Sequence, residues 1–105
     1  MSEVIVSQEN FDSEVLQSKI PVLVDFWGPG CVPCIKQDPI LHEISHELSG
    51  KVKIAKLNVA EHGAVASRFG VMSLPTLILF KDGVVRDQML GMQQKGTLLA
   101  KLASV

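Results

Sequence analysis

The chain is poor in cysteine, in charge of one sign and in long apolar runs. Two cysteines in 105 residues are far too few for a disulfide-stapled mini-protein. Ten Lys and Arg stand against eleven Asp and Glu, a formal net charge of −1. That balance lacks the basic surplus of a general DNA or RNA binder, so no nucleic-acid partner is expected. No apolar run approaches the roughly 18 residues of a membrane span, so no membrane partner is expected either. The opening Met1-Ser2-Glu3-Val4 has no basic segment leading into an apolar one. No signal peptide is read there, and the expected address is cytoplasmic. Repeats, low-complexity tracts and charge blocks are missing too, which leaves no visible linker. What is present is 47% hydrophobic and 20% charged, the make-up of a chain with a packed core. One domain over residues 1–105 is the expectation.

Helical and extended patterns alternate along the chain. Val4-Ile5-Val6 is a short β-branched run, and Asn10 is placed to cap a helix through Phe11, Val15 and Leu16. After Pro21, Val22 to Trp27 reads as a strand covered on both faces, because all but Asp25 are apolar. Gly28-Pro29-Gly30 stops it. A helix is expected from Cys31 to Ser49, bent at Pro39 and closed by Gly50. Val52 to Val59 is the next strand, and a short helix around Ala64–Arg68 ends at Gly70. Thr76–Phe80 and Val84–Arg86 flank Asp82-Gly83, a strong hairpin signal. Gln94 to Ala103 closes the chain as a helix with Leu98, Leu99 and Leu102 on one face. The order β-α-β-α-β-α-β-β-α predicts an α/β fold: a mixed central sheet with helices on both faces.

Cys31-Val32-Pro33-Cys34 falls where a strand meets a helix. With βαβ patterning around it, that placement points to a redox dithiol. At a helix N-terminus the free backbone N–H groups and the dipole favour an anion, which lowers the pKa of Cys31. Cys34 lies one turn on, along the same side. There it can attack a mixed disulfide formed at Cys31 and close a small ring, while Pro33 stiffens the loop between the sulfurs. Two other readings stay open from spacing alone. The pair could be two inert buried thiols, or half of a zinc site that needs two more ligands.

Further motifs surround the pair. Val24-Asp25-Phe26-Trp27, Pro39, Lys56-Leu57-Asn58-Val59, Ser73-Leu74-Pro75-Thr76-Leu77 and Phe80-Lys81-Asp82-Gly83 resemble the thioredoxin family in order and spacing. The resemblance runs from about Val4 to Leu102 and implies a thioredoxin fold. It implies that Cys31 is the exposed attacking cysteine and Cys34 the buried resolving one. It further implies that Asp25 is the buried aspartate beneath the site, Lys56 the lysine near it, and Pro75 a cis-proline facing the dithiol. Trp27 is implied to pack beside the site, and Gly91 to lie in a substrate-facing loop.

Physical readings accompany these roles. A carboxylate in an apolar strand is costly to bury, so the pKa of Asp25 should rise, which suits it to relay a proton for Cys34. The alternative is an exposed strand-end Asp. Lys56 would partly offset the buried charge. A cis Leu74–Pro75 bond would turn the backbone of Leu74 toward the cysteines, where an extended substrate could pair with it. The expected substrate rim is Trp27, Val32, Pro33, Met72, Leu74, Pro75, Leu90 and Gly91. Met72, Met89 and Met92 would add soft, adaptable surface.

The resemblance implies a protein-disulfide reductase that needs protein disulfide substrates and a thioredoxin reductase or equivalent donor. A monomer with no cofactor and no metal is expected. The runner-up is a scaffold module of the same fold with secondary redox activity. Two positions depart from the family's W-C-G-P-C: Gly30 stands for the tryptophan, in a run expected to be flexible, and Val32 for the glycine. Both bear on partner choice. His42-Glu43-Ile44-Ser45-His46 spells the H-E-x-x-H of zinc proteases. However, Ile40, Leu41, Ile44 and Leu48 form the apolar stripe of that helix, which turns both histidines toward solvent. Gly28-Pro29-Gly30 is no dinucleotide loop, since Pro33 stands where a third glycine is needed.

Overall fold

A computed structural model describes residues 3–105. Among them, five strands form one mixed sheet in the order β1-β3-β2-β4-β5. The strands are β1 (Glu3–Ile5), β2 (Val22–Trp27), β3 (Lys53–Asn58), β4 (Thr76–Lys81) and β5 (Val84–Leu90). β1 and β2 each run parallel to β3. β4 runs antiparallel to both β2 and β5. β2 is the central strand, and Val22 to Phe26 are all buried, as its near-continuous apolar sequence predicts. Asp82 (φ 54°) and Gly83 (φ 75°) are both left-handed, the conformation a two-residue hairpin turn requires.

The helices are α1 (Val32–Glu47), α2 (Gly63–Arg68) and α3 (Lys95–Ala103), with a π-helical segment at Asp12–Leu16. Alternation along β2 sends its side chains to opposite faces. Val22, Val24 and Phe26 join one core with Phe11, Val15, Val65 and Phe80, so the π-helical segment and α2 cover that face. All four phenylalanines of the chain meet there, with ring centroids 5.2–6.5 Å apart. Leu23 joins the other core with Leu41, Ile44, Ile54, Leu77, Leu98 and Leu102, beneath α1 and α3. Asp25 follows Leu23 at the strand period, so it faces α1.

Two expectations are corrected here. Asn10 does not cap a helix. Its Oδ1 accepts from the Ser7 backbone N–H at 2.6 Å, and its Nδ2 donates to the Ile5 carbonyl at 3.2 Å. A short polar side chain can bond its neighbours' backbone instead of capping, and here it ties the turn after β1. The segment that follows is held by a bond from Gln17 N to Asp12 O at 2.9 Å, an i to i+5 pairing. Helix α1 also stops at Glu47 rather than Ser49, although Gly50 takes the left-handed φ of 82° after it. The helix runs through Pro39 as one element.

Candidate active site

β2 ends at Trp27, and α1 begins at Val32. The glycines between them are shaped by close packing and by turn geometry rather than by freedom. Gly28 is buried, and a Cβ there would come within 2.9 Å of Leu74 Cδ1. Gly30 sits at φ 76°, where a side chain is strained. The family's tryptophan would therefore need a different backbone at this position.

Cys31 is the N-cap of α1 with extended backbone, and its sulfur accepts from Cys34 N at 3.2 Å. Pro33 lies in the first turn, where a missing N–H costs no helical bond. Cys31 and Cys34 are joined as a disulfide with their Cα atoms 5.2 Å apart. Cys31 is half-buried, whereas Cys34 is 3% exposed. The two cysteines thus differ in exposure, with the more exposed one at the helix N-terminus.

Register brings the expected rim to the same end of the sheet. Phe26 pairs with Thr76, and Thr76 with Leu90. The exit of β2, the loop before β4 and the loop after β5 are therefore neighbours. Leu74–Pro75 is a cis peptide bond. Gly91 N donates to the Pro75 carbonyl at 2.8 Å, tying the two loops together. Val32, Met72 and Leu90 are 59%, 96% and 65% exposed, and Pro33 is exposed as well. Trp27, Leu74 and Gly91 are half-buried. Pro75 is buried, so of the expected rim residues it offers no contact surface of its own. Met89 is a correction: it is buried in the core under α3, because the alternation of β5 points it inward. Ile35 was not anticipated. It is 63% exposed one turn after Val32 on α1, and that spacing could have shown it.

Asp25 lies within the sheet, fully buried, which disposes of the exposed strand-end reading. Neither of its carboxylate oxygens has a hydrogen-bond partner among the described residues. Burial pushes its pKa from an ordinary 3.8 up to about 7. The Lys56 charge pulls it down, while Asp38 and Glu3 push it further up. Lys56 is the register partner of Asp25 across β2 and β3. Its charge partly offsets that of Asp25 through space, and its ammonium does not bond it. The ammonium pairs with Asp38 Oδ1 and lies 5.7 Å over the Trp27 ring. Asp38 was missed, although it follows Cys34 by four residues and so falls on the same side of α1. Glu3, Ile35, Asp38, Pro39, His42 and Lys56 line an open groove here.

A second missed residue is Gln37, buried in α1. Its Nε2 donates to the Gln93 carbonyl at 3.1 Å, and its Oε1 accepts from Gln93 N at 2.6 Å. This pair of hydrogen bonds pins the segment after Gly91 to the helix that carries the cysteines. His42 and His46 are exposed, and His42 Nδ1 lies 3.0 Å from Glu3 Oε1.

Comparisons with known proteins agree with this geometry. The family model described as Thioredoxin matches residues 2–104. The chain is 49% identical over 94 residues to a thioredoxin of Rickettsia felis, covering 90% of each chain. It is 46% identical over 97 residues to a thioredoxin of Synechocystis sp., covering 92% of this chain and 91% of that one. A thioredoxin 1 of Synechococcus elongatus is 47% identical over 93 residues, covering 89% and 87%. The scaffold reading is not favoured by these matches. The chain belongs to the thioredoxin family, and its Cys31–Cys34 pair makes it a dithiol–disulfide oxidoreductase.

Proposed function

We propose that this protein reduces protein disulfides in two steps, with Cys31 as nucleophile and Cys34 as resolving thiol. The observation that carries the assignment is the difference in access between the half-buried Cys31 and the buried Cys34 at the start of α1. In the first step the Cys31 thiolate attacks one sulfur of a substrate disulfide. A bond forms between Cys31 and that sulfur, the substrate S–S bond breaks, and the second substrate sulfur leaves as a thiolate that takes a proton from water. In the second step Asp25 accepts the proton of Cys34. The Cys34 thiolate attacks the Cys31 sulfur, and the first substrate sulfur leaves. The substrate has gained two electrons, and the protein ends with the Cys31–Cys34 disulfide.

Asp25 suits the relay because a base titrating near 7 is part ionised at neutral pH and still takes a proton readily. Lys56 supports this charge from the neighbouring strand. Val32, Pro33, Met72, Leu74, Leu90, Gly91 and Trp27 form the substrate rim, with the Leu74 backbone available to pair with an extended chain. The protein acts as a single-domain monomer at a cytoplasmic address, and a thioredoxin reductase or equivalent donor regenerates the dithiol. Val32 places apolar, β-branched bulk between the cysteines, which changes partner choice and weakens coupling to a standard reductase.

Turnover of a protein disulfide with dithiothreitol as donor tests the reading. Wild type is expected to turn over and Cys31→Ser to be inactive; equal rates in both would defeat it. Val32→Gly is expected to raise the rate with a generic thioredoxin reductase, and an unchanged rate removes Val32 as a determinant of coupling.

A further inference from the structure

We propose that Asp38 is a positioning residue that holds the Lys56 ammonium at the groove and so withholds it from Asp25. The inference rests on the relay reading of Asp25 for its functional meaning, and on geometry for its substance. Lys56 and Asp25 are register partners on adjacent parallel strands, so both side chains leave the sheet on the α1 face. An unpartnered buried carboxylate beside a lysine is a strong attractor for its charge. Yet Asp25 has no hydrogen-bond partner among the described residues, and the ammonium bonds Asp38 instead.

The outcome follows from solvation. Asp38 is a half-exposed carboxylate on α1, and its ion pair borders the open groove. Pairing there lets the ammonium keep part of its water. Pairing with Asp25 would strip the ammonium of that water in the dry interior. The Trp27 ring, with its negative face toward the cation at 5.7 Å, adds to the outward position.

The groups that bear on Asp25 come from three elements: Lys56 from β3, Asp38 from α1 and Glu3 from β1. β4 presents only Leu77 opposite it. His42 lines the same groove, but its ring meets Glu3. Glu3 therefore has a partner of its own, and Asp38 is the carboxylate that competes for Lys56. With Asp38 in place, Asp25 remains a base that exchanges its proton near neutrality. Without it, the ammonium turns inward, and Asp25 becomes a weaker base that is ionised to a lower pH.

Titration of Asp25 by carboxyl-carbon NMR in the oxidised protein tests this, because neither cysteine titrates in that state. Asp38→Ala is expected to lower the midpoint of Asp25 by about one pH unit or more, a tenfold change in proton concentration. Asp38→Glu, which keeps a carboxylate on the same helix face, is expected to restore most of the wild-type midpoint. In a Lys56→Met background the Asp38→Ala shift is expected to shrink to a small remainder. An unmoved midpoint in Asp38→Ala overturns the proposal. The same shift with and without Lys56 also overturns it, since Asp38 would then act as a bare charge. The pH profile for release of substrate from the Cys31 mixed disulfide separates the relay reading from this one. A midpoint that moves while that profile stays fixed contradicts the relay and leaves the placement of Lys56 standing.

Discussion

On the relay reading, Asp25 is the residue through which pH acts on both stability and rate. Its native pKa of about 7 lies above the 3.8 of an exposed Asp. Between those values the unfolded chain has released a proton that the native state still holds. Native stability from this group is therefore complete below about pH 4, falls as pH rises, and levels off above about pH 7. At about 1.4 kcal/mol per pH unit, the loss across the window is on the order of 4 kcal/mol. Asp25→Asn removes that slope. Its unfolding free energy relative to wild type is expected to rise by that order between pH 4 and pH 8, as measured by urea denaturation. A difference that stays flat with pH would count against a raised native pKa. The same variant is expected to slow the resolving step more than the first attack in stopped-flow measurements, and equal slowing of both contradicts the relay. Trp27, the only tryptophan, stands at the end of β2 just before the dithiol loop. Its fluorescence is expected to change on reduction of the disulfide, and an identical spectrum in both states would place it outside the influence of the pair.

At the scale of elements, the link between α1 and the loop after β5 is the most exposed to single changes. Gln37→Ala leaves the N–H and carbonyl of Gln93 without their partner inside the protein. Such a loss costs about 1–3 kcal/mol, and the midpoint of thermal unfolding is expected to fall accordingly; an unchanged midpoint would mean water replaces the amide. Gly83→Ala meets the Leu16 carbonyl at 2.9 Å and keeps a φ of 75°. It is expected to destabilise by about 1–2 kcal/mol from backbone strain alone.

These elements also mark what the sequence makes legible. Asp82-Gly83 announces its hairpin because few other dipeptides accept two left-handed residues. The apolar run of β2 announces a central strand, and the cysteine pair announces the junction that bears the chemistry. Asn10 misleads because its side chain has two local uses, cap or turn, and only the contacts with Ser7 and Ile5 decide between them. Asp38 and Gln37 are hidden for another reason. Each looks like a solvated helix residue until the fold brings Lys56 or Gln93 against it. Met89 and Met72 look alike in the sequence; the phase of β5 sends Met89 inward, whereas Met72 lies in the loop before β4 and is 96% exposed.

At the scale of the whole molecule, one sheet carries both cores, with Val24 and Phe26 serving one face and Leu23 the other. Neither core persists without β2, so unfolding is expected to be a single cooperative transition. Far-UV and near-UV circular dichroism should give coincident urea curves, and two separate midpoints would contradict a single domain. The same strand sets the functional order. Its C-terminal end delivers the chain to Cys31, its fourth residue buries Asp25 beneath α1, and its register with β4 brings Leu74–Pro75 to the same end. The central claim is that Cys31 attacks and Cys34 resolves. Its most direct test is to mix Cys34→Ser with a disulfide-bonded protein and map the adduct by mass spectrometry. The account predicts a stable mixed disulfide through Cys31 that wild type does not accumulate. No adduct with Cys34→Ser, or a corresponding trapped adduct through Cys34 in Cys31→Ser, would contradict it.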